Sequence, residues 1–169
     1  MTTSPEPTDL SGALASNAHS LLAYFERRLR FREDAADLLS ETMLQAWRRV
    51  DALPSGDAAQ QRMWLYTIAA NVLANHRRTV KRRAALADRL RDHIAASPKG
   101  ADPSEAVTVR DAVLRLDAAH RELVMLIHWD GFTIAEAAEL LGLNRSTARG
   151  RYAAARETLK DALTETATR

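Results

Sequence analysis

The stretch WLYTIAANVLANHRRTVKRR, residues 64–83, sets Leu65, Ile68, Ala69 and Val72 three and four positions apart. A period of 3.6 puts all four on one side of a helix, whereas the period of two in a strand would scatter them over both faces of a sheet. A single helix is therefore predicted over residues 62–83. The same spacing recurs at Leu21, Leu22, Phe25 and Leu29, and again at Leu39, Met43, Ala46 and Val50 with Trp47 beside them. These stripes predict one helix from residue 16 and a second over residues 33–50. Aromatic residues make up only 5% of the chain, while sheets gather aromatic and β-branched side chains; the expected fold class is all-α.

Breakers and caps divide this helical chain. LPSGDAAQ ends the second helix. HIAASPKGAD, residues 93–102, has almost nothing to bury and reads as a flexible linker. Two small helical domains result: a disordered tail over residues 1–15, read from Pro5 and Pro7, a first domain over 16–92, a linker over 93–103 and a second domain over 104–169. The second opens with Asp102, Pro103 and Glu105, suited to N-cap, first helical position and capping-box acid. Helices are then predicted over residues 118–129, 134–141 and 145–163, with Asp130 and Gly131 ending the first. Thr133 and Glu136 form a capping box before the second, Gly142 ends it, and Asn144 caps the third. Ala148, Tyr152, Ala155 and Leu159 make one apolar stripe on that last helix.

Several function classes drop out. The chain has no cysteine, which removes disulfides and thiolate metal sites and suits a reducing compartment. Its longest apolar runs fall well short of the ~18–20 residues that span a bilayer, and MTTSPEPTD lacks the basic and apolar regions of a signal peptide; the expected location is the cytoplasm. His19, His76, His93, His120 and His128 show no metal-ligand spacing. With no Gly-rich phosphate loop, acid pair or nucleophile with a base, the expectation is a non-enzyme without metal or cofactor.

Net charge is only +2, so the distribution of charge carries the information. Acids gather over residues 33–41 and 130–139, and bases over 77–91 and 145–156. On the 62–83 helix, Asn71, Asn75, Arg78 and Arg82 lie at i, i+4, i+7 and i+11, opposite the buried stripe, with Arg77 and Lys81 flanking them. Amides suit base edges and the cations suit phosphates on either side. On the second helix, Asp34, Asp37 and Glu41 form a carboxylate stripe beside an expected exposed Leu38, a face suited to docking a protein because DNA would repel it.

The segment TIAEAAELLGLNRSTARGRYAAAR has the layout of a helix-turn-helix. Small Ala138 stands at the crossing point, Gly142 at the turn, and polar and basic residues open the second helix. Arg145 and Arg149, one turn apart, suit guanine edges or phosphates. Ser146 and Thr147 suit shorter bonds, and Arg151 and Arg156 suit the backbone.

An acidic docking helix, an Asn/Arg helix and a terminal helix-turn-helix, in that order, resemble a bacterial sigma factor of the extracytoplasmic-function group. DAADLLSETMLQAWRRV is similar to the family's polymerase-binding helix, WLYTIAANVLANHRR to its promoter-melting helix, and HRELVMLIHWDGFTIAEAAELLGLNRSTARGRYAAAR to its minus-35 reader. Ser40, Asp117, Asn144 and Ala148 stand where the family often has Gln, Pro, Ser and Val.

The resemblance implies that Asp34, Asp37, Leu38 and Glu41 contact the clamp helices of the polymerase largest subunit. It places Asn71, Asn75, Arg77, Arg78, Lys81 and Arg82 against the minus-10 element, and has the loop over residues 51–61 hold a base flipped from the non-template strand. Arg145, Ser146, Thr147, Arg149, Arg151 and Arg156 then address the minus-35 duplex. The implied partners are core RNA polymerase, promoter DNA and, as in many members, an anti-sigma protein. Geometry agrees: promoter elements two helical turns apart lie roughly 70 Å from each other, and a linker of about 12 to 15 residues, counting the residues that flank 93–103, reaches at most about 50 Å, so a large scaffold must space the domains. The alternative is a free-standing helix-turn-helix regulator that binds duplex DNA unaided as a dimer; an adaptor with no DNA role is a third reading.

Overall fold

A computed structural model describes the backbone over residues 7–91 and 109–167, and side chains over residues 9–87 and 109–164. Among these residues the chain forms seven α-helices, one 3-10 turn and no strand. They divide between two units, residues 1–98 and 99–169. The expected linker over residues 93–103 and the Asp102, Pro103 and Glu105 cap lie outside the described residues. None of the described helices is long and apolar enough to cross a membrane.

The first unit holds α1 (Pro7–Glu26), α2 (Arg32–Trp47) and α3 (Ala58–Arg91), each packed on the other two. Helix α1 begins well before the expected residue 16. Pro7 occupies its first position, where a proline costs no hydrogen bond, and Leu10, Ala13 and Leu14 are buried in the core. Fully burying a leucine is worth about 1.5–3 kcal/mol, enough to offset part of the cost of ordering the turn that carries it. The prolines that suggested a tail over residues 1–15 therefore mark, at Pro7, a helix start.

Helix α2 corrects a second expectation. Its buried side chains are Ala35, Leu38, Thr42 and Ala46, while Leu39 and Met43 are half-buried; the helix ends at Trp47, short of the expected residue 50, and the half-buried Val50 opens the 3-10 turn Val50–Ala52. The helix is thus rolled by about one position from the stripe of larger apolar residues. Small Ala35, Thr42 and Ala46 allow the neighbouring helices to approach closely, and the Thr42 hydroxyl donates to the Leu38 carbonyl at 2.7 Å, so it can be fully buried. Leu38, expected to be exposed, is only 9% so.

Helix α3 follows expectation at its core. Leu65, Ile68, Ala69 and Val72 are buried, joined by Tyr66 and Leu73. With 34 residues it is about 51 Å long at ~1.5 Å per residue.

The second unit holds α4 (Val109–Arg115), α5 (Ala118–His128), α6 (Ile134–Leu140) and α7 (Arg145–Ala167). Val113, Leu116, Val124, Met125 and Ala155 form its core, with Tyr152 and Leu159 packed against them. Local chemistry sets nearly every boundary. Asp117 caps α5 by accepting from the Ala119 and His120 amides. The backbone N–H of His120 above all, helped by the His120 ring, holds the Asp117 carboxyl below the usual carboxylate range. Gly131 ends α5's turn with φ +73.

Thr133 and Glu136 close a complete capping box on α6. At its other end the Leu143 amide donates to Ala138 (2.8 Å) and the Gly142 amide to Glu139 (3.1 Å), a Schellman closure that needs the positive φ of Gly142, +63. Asn144 Oδ1 accepts from the Thr147 amide at 2.7 Å and starts α7. Replacing Asn144 by Ala is expected to cost about 1 kcal/mol; the urea midpoint of the second unit measures it, and an unmoved midpoint would contradict the cap.

Candidate polymerase and nucleic-acid interfaces

On α2, Asp37 is exposed and Asp34 and Glu41 are half-buried. Asp37, Glu41 and Leu44 stand at i, i+4 and i+7 and so share one face; Trp47 follows Leu44 at i+3. Leu44 is 45% exposed and Trp47 42%, large values for side chains of that size and type. The roll that buries Leu38 turns this pair outward. The candidate docking face is thus an apolar pair, Leu44 and Trp47, rimmed by carboxylates; hydrophobicity alone points both side chains inward and does not reveal them. Glu41 is steadied by Gln45, whose amide donates to it at 2.8 Å. The Ser40 hydroxyl is turned inward along the helix, to the Ala36 carbonyl at 3.0 Å.

On α3, Asn71, Asn75, Arg77, Arg78, Lys81 and Arg82 are all exposed, as expected. The structure adds that Arg78 Nη2 donates to Asn75 Oδ1. That bond engages the amide's oxygen and not its NH2 group. Every residue from 77 to 86 is exposed. Residues 77–86 carry five cations, Arg77, Arg78, Lys81, Arg82 and Arg83, and no acid, a charge distribution suited to a polyanion. Arg89 and Arg91 lie beyond the described side chains.

In the second unit, buried Ala137 and Ala138 on α6 and Ala148 on α7 mark the closely packed side of the helix-turn-helix. Helix α7 turns Arg145, Ser146, Arg149 and Arg156 outward; Thr147 and Arg151 are half-buried. Small Gly150 and Ala153, also exposed, leave room for a groove wall beside Arg149. The Ser146 hydroxyl donates to Asn144 Oδ1 at 2.8 Å, which leaves its oxygen as an acceptor. The Arg156 guanidinium sits 5.9 Å from the Tyr152 ring centre. Tyr152 in turn bonds His128 Nε2 through its hydroxyl at 2.8 Å, which ties α7 to α5.

These surfaces coincide with two matched segments. Residues 14–83 match the family model for Sigma-70 region 2, and residues 106–159 that for Sigma-70, region 4. The ECF RNA polymerase sigma factor SigL of Mycobacterium tuberculosis is 28% identical over 160 residues, covering 84% of this chain and 88% of that protein. The RNA polymerase sigma factor CarQ of Myxococcus xanthus is 31% identical over 154 residues, covering 89% of this chain and 87% of its own length. Among solved structures, the sigma factor RpoE in complex with the anti-sigma factor NepR from Bartonella quintana shares the fold with a TM-score of 0.70, at 24% identity over 92% of this chain and 97% of that one. With α1 to α3 falling in one matched segment, the helix-turn-helix in the other, and relatives similar along most of the chain, this protein belongs to the extracytoplasmic-function group of RNA polymerase sigma factors.

Proposed function

We propose that this sigma factor divides its work among three surfaces. The face of α2, with Asp34, Asp37 and Glu41 around Leu44 and Trp47, docks on the clamp helices of core RNA polymerase; Leu38 acts from beneath, packing the helix that presents them. The exposed face of α3, Asn71, Asn75, Arg78 and Arg82 with Arg77 and Lys81, lies against the minus-10 element, and the loop over residues 51–61 holds a base flipped from the non-template strand. The outer face of α7, from Arg145 to Arg156, reads the minus-35 duplex. The protein performs no covalent chemistry; it lowers the cost of opening DNA by binding the opened form.

The observation that carries this reading is the co-occurrence, in one chain, of a carboxylate-rimmed apolar patch with two polar and basic readout faces on separately packed units. Carboxylates repel DNA, so the α2 patch fits a protein; the other two faces fit nucleic acid. Each flipped base costs a few kcal/mol, comparable to the roughly 1–3 kcal/mol of a good base contact, so opening draws on the binding energy of the whole assembly. An anti-sigma protein covering these faces is a further proposed partner. Run-off transcription with purified core polymerase, with and without this chain, on a genomic fragment library tests the reading. New starts sharing a two-part motif are expected; an unchanged start pattern, or tight binding of an intact palindrome by the chain alone, would refute it.

A further inference from the structure

The loop between α2 and α3 is held in one shape at several points. A 3-10 turn, Val50–Ala52, is closed by bonds from the Ala52 amide to Arg49 (2.9 Å) and from the Leu53 amide to Val50 (3.0 Å). The Leu53 side chain is buried. Asp57 starts α3: its carboxylate accepts from the Ala59 amide at 2.8 Å and its carbonyl from the Gln61 amide at 2.9 Å. Between these anchors, Gly56 turns the chain with φ +81. Finally, the half-buried Gln61 side chain reaches back seven residues and donates from Nε2 to the Pro54 carbonyl at 3.1 Å. The span left to face a ligand is short, and its Ser55, Gly56 and Asp57 are exposed.

We propose that Gln61 is a positioning residue: by pinning the Pro54 carbonyl it fixes the shape of residues 54–57, and through that shape sets which unpaired base the loop accepts. The inference rests on the reading of this loop as the holder of a flipped base. Discrimination among bases requires polar groups held in fixed places, because a loop that can rearrange accommodates the wrong base as readily as the right one. A loop already ordered also avoids the entropic cost of ordering at capture. Gln61 supplies the fixing bond from a helix, the most rigid element next to the loop, without itself standing at the tip.

The test uses holoenzyme on a pre-melted bubble template, with each of the four bases placed in turn at every non-template minus-10 position. The lifetime ratio between best and worst base is read at each position. Gln61→Leu removes the donor at similar size, Gln61→Glu sets a carboxylate against the carbonyl, and Gln61→Lys restores a donor of sufficient reach. The attraction of the lysine's added charge for the phosphates is the same on all four templates and cancels in the ratio. At one position the wild-type ratio is expected to fall about fivefold in Gln61→Leu and Gln61→Glu and to recover in Gln61→Lys, with core affinity, melting temperature and the ratios at other positions unchanged. A wild-type ratio retained in Gln61→Leu overturns the inference, as does a uniform loss at all positions accompanied by a lower melting temperature. Wild-type holoenzyme without base preference at any unpaired position overturns the reading of the loop, and the inference with it.

Discussion

A Leu44→Glu chain is expected to lose core RNA polymerase by about a hundredfold while its melting temperature stays within the scatter of the wild type. The stability half follows from exposure: Leu44 stands 45% open on α2, leucine and glutamate have similar helix propensities, and surface changes of this sort move stability by about ±0.5 kcal/mol. The binding half follows from the anatomy of interfaces. Large apolar side chains ringed by polar ones act as anchors, and truncating such an anchor costs about 2–4 kcal/mol, or roughly 30- to 1000-fold at ~1.4 kcal/mol per decade.

Glutamate is the informative replacement. Were docking governed by the carboxylates alone, one more acid among Asp37 and Glu41 would leave affinity unchanged or improve it, whereas an apolar anchor must suffer. Trp47→Ala should behave like Leu44→Glu. By contrast, Asp37→Asn, at a rim position, is expected to lower affinity only a few-fold and mainly through a slower, salt-sensitive association. Titration of labelled core enzyme with each variant measures all three. Full affinity in Leu44→Glu would mean that polymerase meets another face.

How far the sequence speaks depends on how local the deciding physics is. In the second unit the Thr133 and Glu136 capping box, the Gly142 turn and the Asn144 cap all formed as the residues predict, because each closes between groups no more than five positions apart in the chain. The stripe of α3 was equally readable: Leu65, Ile68, Ala69 and Val72 differ from Asn71, Asn75, Arg78 and Arg82 so sharply in polarity that a single rotation about the helix separates them. Neither case needed knowledge of a neighbour.

Helix α2 did. Its rotation is decided by how closely α1 and α3 can approach, and Ala35, Thr42 and Ala46 win because they are small, although Leu39, Met43 and Trp47 are more hydrophobic. That one-position roll hid the apolar part of the proposed docking face and turned Leu38 inward. Helix α1 failed for a related reason: Pro5 and Pro7 look like punctuation until Leu10 is seen to have a core to enter. The bond from Gln61 to the Pro54 carbonyl depends on the path of an irregular loop, for which no periodic signal exists.

The second large effect is expected on α7. Reversing both Arg145 and Arg149 to Glu should abolish initiation at promoters that depend on the minus-35 element, a loss on the order of a thousandfold or more, and leave binding to a pre-melted minus-10 template with core enzyme nearly unchanged. Both arginines are exposed and one helical turn apart, and a good bidentate contact to a guanine edge is worth about 1–3 kcal/mol. Losing two such contacts and placing two carboxylates against a polyanion add in the same direction. Folding should not suffer: an acid at position 145 stands in the first turn of α7, where the helix dipole favours it, position 149 is exposed, and the Asn144 cap is untouched.

The neighbouring residues should separate by kind. Arg156→Ala is expected to weaken binding evenly across sequences and to reduce the salt slope by about one, the mark of a phosphate contact. Ser146→Ala should cost less than Asn144→Ala, because the Ser146 hydroxyl proton is already committed to Asn144 and only its acceptor capacity is left for DNA. Gel-shift and abortive-initiation assays on duplex and bubble templates over a range of salt measure these effects together. If the double reversal weakened the bubble template as much as the duplex promoter, α7 would be serving the polymerase rather than the minus-35 bases, and the division of labour among the three faces would have to be redrawn.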